Sequence, residues 1–417
     1  MRAGAGVLLA ALLVAGPVRA QEPPPVDPSD LINTLLGGLL GFKDITAPEL
    51  QTEVAEVGGV PFRSDVPLRY LTRAELSRYL KEVLDDEYPP AQARADQKTL
   101  VAFGLLDPGT DLRAVRARLL EENVAGFYDE RPGKKQLYAV SEDRRLTPTN
   151  QLILSHELRH ALQDQYANVH DAIPPSVGDF DDRRIAYLSL LEGDATLVME
   201  RFLVRRVPGM EDGELSGLSM PTPAVPGAPR VLADQLVLPY IVGRDFARAV
   251  WQRGGWEAIK AAWSRPPESS EQVLHPDKFF ARESPRPVDL SYQPAGGSLV
   301  SEGVLGEMLT RTLLGEGSDA AAAGWGGDRF RVWDVGGKSL LVWRSVWDGP
   351  GDLAKFKTAL LGRLAAERVA AGERGPFRVF ARPPWRFAAG EVAGGMVLVS
   401  SDDERAFDAA VAALARP

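Results

Sequence analysis

The chain has 417 residues, no cysteine and four histidines, with a formal net charge of −9 and a sequence pI near 5.2. Without cysteine there is no disulfide framework, thiol nucleophile, Cys-ligated zinc or lipid-anchored cysteine, and the acidic balance argues against nucleic-acid binding, which needs a basic face. A hydrophobic fraction of 45% and a charged fraction of 25% describe an ordinary globular chain, long enough for two or three domains.

Residues 1–20 (MRAGAGVLLAALLVAGPVRA) read as a signal peptide. Arg2 supplies the positive start, Val7 to Ala15 the apolar stretch, and Val18-Arg19-Ala20 a small-x-small cleavage site. The expectation is an exported protein, periplasmic or extracellular. The apolar run is too short for a stable membrane span, and no later run reaches that length. Cleavage removes two arginines and no acid, leaving a charge of about −11. Residues 21–59 read as a linker with a short N-terminal helix, capped by Asp30 and carrying Leu31, Ile32, Leu35, Leu36, Leu39 and Leu40.

From residue 60 a strand-like stretch (60–72) leads into a helix from Arg73 to about Asp86, with further helices near 91–106 and 111–122. In 125–140 two β-rich runs flank Arg131-Pro132-Gly133-Lys134, a hairpin signal. Thr147-Pro148 places an N-cap residue before a proline, so a helix starts there and runs to about Tyr166. A loop at 167–180, a helix at about 181–205, a loop at 206–228 and helices near 232–251 and 255–263 follow. Beyond 290 the composition shifts. Strands at 329–335 and 338–347, a helix at 352–371, strands near 377–388 and 395–400 and a helix near 403–415 form a small α+β unit. Trp333 and Trp343 fall within strands, so core packing accounts for them better than a ligand platform.

The 147–166 helix carries Leu154-Ser155-His156-Glu157-Leu158-Arg159-His160. Residues i and i+4 share a helix face, so both imidazoles reach one metal ion. Glu157 follows the first ligand and can take a proton from metal-bound water. A catalytic zinc needs a third protein ligand and an open position. Gln163 and Tyr166 stand where a metzincin would have Gly and His or Asp, so that extension fails. Glu192, among apolar neighbours on the next helix, is the favoured third ligand, because a buried carboxylate requires a partner. Asp194 and His170 are alternatives, and an ion pair of Glu192 with Arg183 or Arg184 is the non-metal reading.

HELRH followed by a Glu on the next helix resembles the gluzincin zinc metallopeptidases. More closely, GFYD, HELRHALQDQ, LEGDAT and SEQVLHP together resemble bacterial secreted proteins of a peptidase-MA-like kind, over roughly residues 60–280. The resemblance implies an α+β, zincin-like fold: a predominantly helical catalytic core with an edge β-hairpin (60–285) and a smaller C-terminal α+β unit (286–417). It implies Zn2+ held by His156, His160 and Glu192, with Glu157 as general base. It also implies an edge strand that pairs with an extended peptide, here the 125–140 hairpin with Gly126, Phe127 and Tyr128 at the cleft. A donor to the developing oxyanion is needed, and His275 and Tyr240 are the candidates. One departure is Thr196, where many gluzincins place an Asp that orients a ligand histidine; Asp194 or Asp164 could take that part. The expected activity is hydrolysis of a peptide or protein substrate. The rival readings are a catalytically silent zinc-containing binding or assembly protein of the same fold, and a non-peptidase amide or ester hydrolase.

Overall fold

The computed structural model describes residues 42–172, 178, 180–206, 225 and 227–415. The expected signal peptide, the Leu31–Leu40 helix and most of the 206–228 loop lie outside the described residues. The chain mixes helices and strands, and its strands fall into two sheets.

The N-terminal part begins with α1 (Ala47–Val57), closed by a capping box between Thr46 and Glu49. This helix occupies a stretch expected to be linker; Thr-x-x-Glu before Leu50 and Val54 is the start signal that the reading passed over. Strand β1 (Leu68–Leu71) leads into α2 (Arg73–Glu87), with Thr72 and Glu75 forming a second capping box. Then come α3 (Pro90–Phe103) and α4 (Leu112–Asn123). Helix α3 ends three residues before the expected 106, because Gly104 takes the left-handed conformation (φ 76°) that stops it.

Strands β2 (Gly126–Asp129) and β3 (Gln136–Val140) form the expected hairpin, and the Lys134 amide donates to the Arg131 carbonyl in its turn. The three-stranded sheet has the order β1-β3-β2, with β1 parallel and β2 antiparallel to β3. One long edge of β2 is therefore unpaired by any described strand.

Beneath this sheet lies α5 (Pro148–Ala167), opened by a Thr147–Asn150 capping box and ended at Asn168 in the left-handed conformation (φ 48°). Helix α6 (Asp182–Val204) packs on α5, and α7 (Arg230–Ser264) packs on α6. Helix α7 breaks at Gly254-Gly255, matching the expected division into two helices. At the α6–α7 crossing two glycines face each other. A β-carbon on Gly193 would lie 2.0 Å from the Gly243 carbonyl, so only glycine allows this approach. Short helices α8 (Ser270–Leu274) and α9 (Pro276–Ala281) follow.

The C-terminal part contains β4 (Ser298–Gly303), α10 (Gly306–Leu314), α11 (Asp319–Ala322), β5 (Trp325–Val335), β6 (Lys338–Trp347), α12 (Pro350–Glu367), β7 (Val369–Arg374), β8 (Phe377–Arg382), β9 (Trp385–Val392), β10 (Gly395–Ser401) and α13 (Glu404–Leu414). The seven strands run β4-β5-β6-β10-β9-β8-β7, every neighbour antiparallel. Two meanders meet along β6 and β10, with α12 making the crossover between them. Side chains alternate across the sheet. Leu341 and Trp343 join the core under α12 with Phe356 and Leu360, while Leu340 and Val342 join Phe407 and Val411 of α13 on the other face.

Two expectations are corrected here. Helix α12 stops at Glu367 rather than 371, because its buried stripe of Leu353, Phe356, Leu360 and Leu364 ends there; Val369, inside the expected helix, is an exposed strand residue. The single strand expected over 377–388 is two strands, turned at Pro383-Pro384. The two parts share a core: Leu100 and Phe103 of α3 join the cluster that holds Trp343, and Phe103 meets Phe330 and Trp343 edge-on.

Candidate metal centre

Helix α5 runs through the protein interior, with every residue from Asn150 to Asp164 buried. Its His156, Glu157 and His160 are fixed from below by α6 and from above by β2. The His160 Nε2 lies 3.0 Å from the His156 Nε2. The Glu192 Oε2 lies 3.1 Å from His156 Nε2 and 3.5 Å from His160 Nε2. Among the described residues these three form the one group with donor atoms close enough to share a metal ion.

The triangle's edges suit such an ion. Bonds of 2.0–2.1 Å at the tetrahedral angle set ligand atoms about 3.3–3.4 Å apart, and the observed edges are 3.0, 3.1 and 3.5 Å. Two imidazoles and one carboxylate form a donor set that can hold a divalent metal ion.

Charge is balanced within the triangle. Burial acts to raise the Glu192 carboxyl, but His160 and then His156 overcome it and hold the group at about 2. Burial likewise acts to lower His160, but the Glu192 charge and hydrogen bond raise it to about 9. Burial dominates at His156, which is lowered. Glu192 does not pair with Arg183 or Arg184, as the non-metal reading required; its partners are the two histidines.

Glu157 is fully buried, and burial lifts its carboxyl well above the ordinary carboxylate range. Its Oε2 accepts the Tyr128 backbone N–H at 3.2 Å, and its Oε1 has no hydrogen-bond partner among the described residues. Strand alternation turns the Tyr128 amide to the unpaired edge of β2, so Glu157 sits at that edge. Gly126 lies close over α5: a β-carbon there would meet Ile153 and Leu154 at 3.0 and 3.2 Å. Phe127 points the other way, stacked on Tyr138 in a separate apolar cluster, and so does not border the site as expected.

A second layer of polar groups holds the first. The His160 Nδ1 is 2.8 Å from Gln163 Oε1. Gln163 Nε2 donates to the Leu191 carbonyl at 3.0 Å and to Asp194 at 2.8 Å. Asp194 also accepts two bonds from the buried Arg159 guanidinium, at 2.8 and 2.9 Å, and one from the Trp263 indole at 3.0 Å. Asp194 therefore lies outside the donor triangle and contacts neither His156 nor His160 directly. Asp164 is not an orienting group either, since it accepts from the Tyr128 hydroxyl and Lys135. The Thr196 hydroxyl and the His156 Nδ1 are buried without a hydrogen-bond partner among the described residues.

The remaining candidates separate. Tyr240 lies on His156, with ring centroids 5.9 Å apart and planes 18° from parallel. His275 does not join the triangle. Its Nε2 is held by both carboxylate oxygens of Glu307, at 3.0 and 3.1 Å, and Glu307 also pairs with Arg311. The helix that ends at His275 is anchored instead to Asp182, where the Ser270 amide donates. His170 falls in a short 3-10 turn after α5 and is absent from the metal-compatible group.

Sequence reasoning missed Gln163, Arg159 and Trp263. Gln163 carried a legible signal: it lies three residues after His160, on the ligand face of the helix. Trp263 carried none, being distant in sequence from everything it supports. Residues 294–413, which hold the seven-stranded sheet, match a family model described as a domain of unknown function (DUF8575). No curated protein and no solved structure matches the chain.

Proposed function

We propose that this protein is an exported, zincin-like metallopeptidase, with one zinc ion held by His156, His160 and Glu192. The observation that carries the reading is the buried triangle of donor atoms with Glu157 at the adjacent unpaired strand edge. The signal-like first twenty residues support export to the periplasm or the medium. Bound zinc would supply Lewis acidity and lower the pKa of a bound water.

The residues of the chain do the rest. Glu157, whose Oε1 has no hydrogen-bond partner among the described residues, would take the water's proton and pass it to the leaving amine. The unpaired edge of β2 aligns an extended peptide by backbone hydrogen bonds, bringing its carbonyl to the triangle. Tyr240, against His156, donates to the oxygen that gains charge. His275 has its Nε2 held by Glu307, so Tyr240 is the favoured donor.

The test is Glu157→Gln beside wild type, with metal content and peptide-library cleavage both measured. Wild type should bind one zinc and cleave. The variant should keep the zinc and lose at least about 100-fold to 10,000-fold in rate. A wild type that holds zinc and cleaves no peptide would favour the binding-protein reading, or another amide or ester as substrate.

A further inference from the structure

We propose that Gln163 is a positioning residue that fixes which nitrogen of His160 faces the metal, an inference that rests on the metal-centre reading above. The argument starts at Arg159. Its guanidinium is buried and donates twice to Asp194, which also takes the Trp263 indole N–H, so this carboxylate stands as an acceptor. The Leu191 carbonyl also only accepts. Both lie within 3.0 Å of the same end of the Gln163 amide, so that end must be the NH2 group. The amide oxygen then faces His160 Nδ1 at 2.8 Å and requires a proton there. With Nδ1 protonated, Nε2 is the nitrogen left to bind, and it is the one in the triangle.

The chain of contacts runs from a buried ion pair through an amide to a ligand. The direct acceptor here is a side-chain amide, where a carboxylate, a backbone carbonyl or water is usual. Glutamate would not replace glutamine here. One of its oxygens would stand where the NH2 group now lies, 2.8 Å from the Asp194 carboxylate and 3.0 Å from the Leu191 carbonyl. His156 has no such partner on its Nδ1 among the described residues, so the two ligand histidines are held unequally.

Two measurements test the proposal. The first needs no metal: in metal-free wild type, at a pH high enough to leave the ring neutral, nitrogen-15 NMR should place the one ring proton of His160 on Nδ1 rather than Nε2, protected from solvent exchange. The second is zinc affinity by chelator competition. Gln163→Leu, which keeps the volume and removes all three hydrogen bonds, should weaken zinc binding by about 10-fold to 100-fold. Gln163→Glu should weaken it too, whereas a space-filling role would leave both variants at wild-type affinity. An unprotonated Nδ1 in wild type, or a folded Gln163→Leu that binds zinc as tightly as wild type, overturns the proposal. If Gln163→Leu does not fold, the wild-type spectrum decides alone. A wild type that binds no zinc would sink the metal-centre reading, while the Nδ1 proton would still decide the role of Gln163.

Discussion

Around α5 and α6 the interior holds His156, Arg159, His160, Gln163, Glu192 and Asp194 within one connected set of contacts, with Glu157 beside it. Between the seven-stranded sheet and α12 it holds Trp343, Trp347, Phe356 and Leu360, with rings stacked or edge-on at 4.2 and 5.8 Å. The two regions share a core through α3, yet they are stabilised differently. Apolar burial is additive and forgiving, contributing about 25 cal/mol per Å² wherever it occurs. A buried polar set is stable only when each member finds its partner, and removing one leaves the others exposed to the full desolvation cost. The helical region has traded robustness for a placed set of charges, and the sheet region has not.

That contrast can be broken in graded steps. Asp194→Ala should have the largest effect, because it leaves the Arg159 guanidinium buried and without its carboxylate. A loss of about 3–5 kcal/mol in unfolding free energy is expected, together with weakened zinc binding. Denaturant titration and chelator competition read the two effects, and a variant that lost neither would show that Asp194 supports nothing. Leu360→Ala, under the sheet, should cost about 2–5 kcal/mol. In the native state it should leave zinc affinity unchanged, and a parallel loss of affinity would join the two regions that the comparison separates.

The smallest effect concerns pH. Burial pushes Asp328, near the start of β5, up to about 6, against the Leu305 and Gly306 amides that lower it. An acid with a raised native pKa holds more protons folded than unfolded between its two values. Stability from this group therefore falls as pH rises from about 4 to 6 and stays reduced above that. The loss is at most about 3 kcal/mol. Wild type should lose stability relative to Asp328→Asn across that range, and parallel curves would contradict the assignment.

Much of the helical site was legible because local signals agreed. Thr147-Pro148 marked the start of α5, the i, i+4 spacing put His156 and His160 on one face, and the apolar setting of Glu192 called for a partner. What escaped was non-local. Whether His275 reaches the triangle depends on Glu307, 32 residues away, and no spacing rule connects them. Asp194 was singled out for the right neighbourhood, but its partners Arg159 and Trp263 appear only when α5, α6 and α7 are stacked. In the C-terminal part, strands were easier to recognise than to delimit. Val369 continues a helical apolar spacing yet lies in an edge strand, because periodicity carries on past the point where tertiary packing stops supporting it.

The Gly193–Gly243 crossing has a consequence for how the triangle responds to heat. Where two helices meet through side chains, their spacing depends on rotamers that can interchange. Here the next residue after Glu192 touches the facing helix through backbone alone. At this point the approach of α6 to α7 is set by backbone atoms and their radii rather than by a side-chain rotamer. Glu192 on one helix and Tyr240 on the other are thus joined by a contact that is either intact or lost. Warming should leave the spacing of the centre nearly constant up to the temperature at which the helix pair itself gives way.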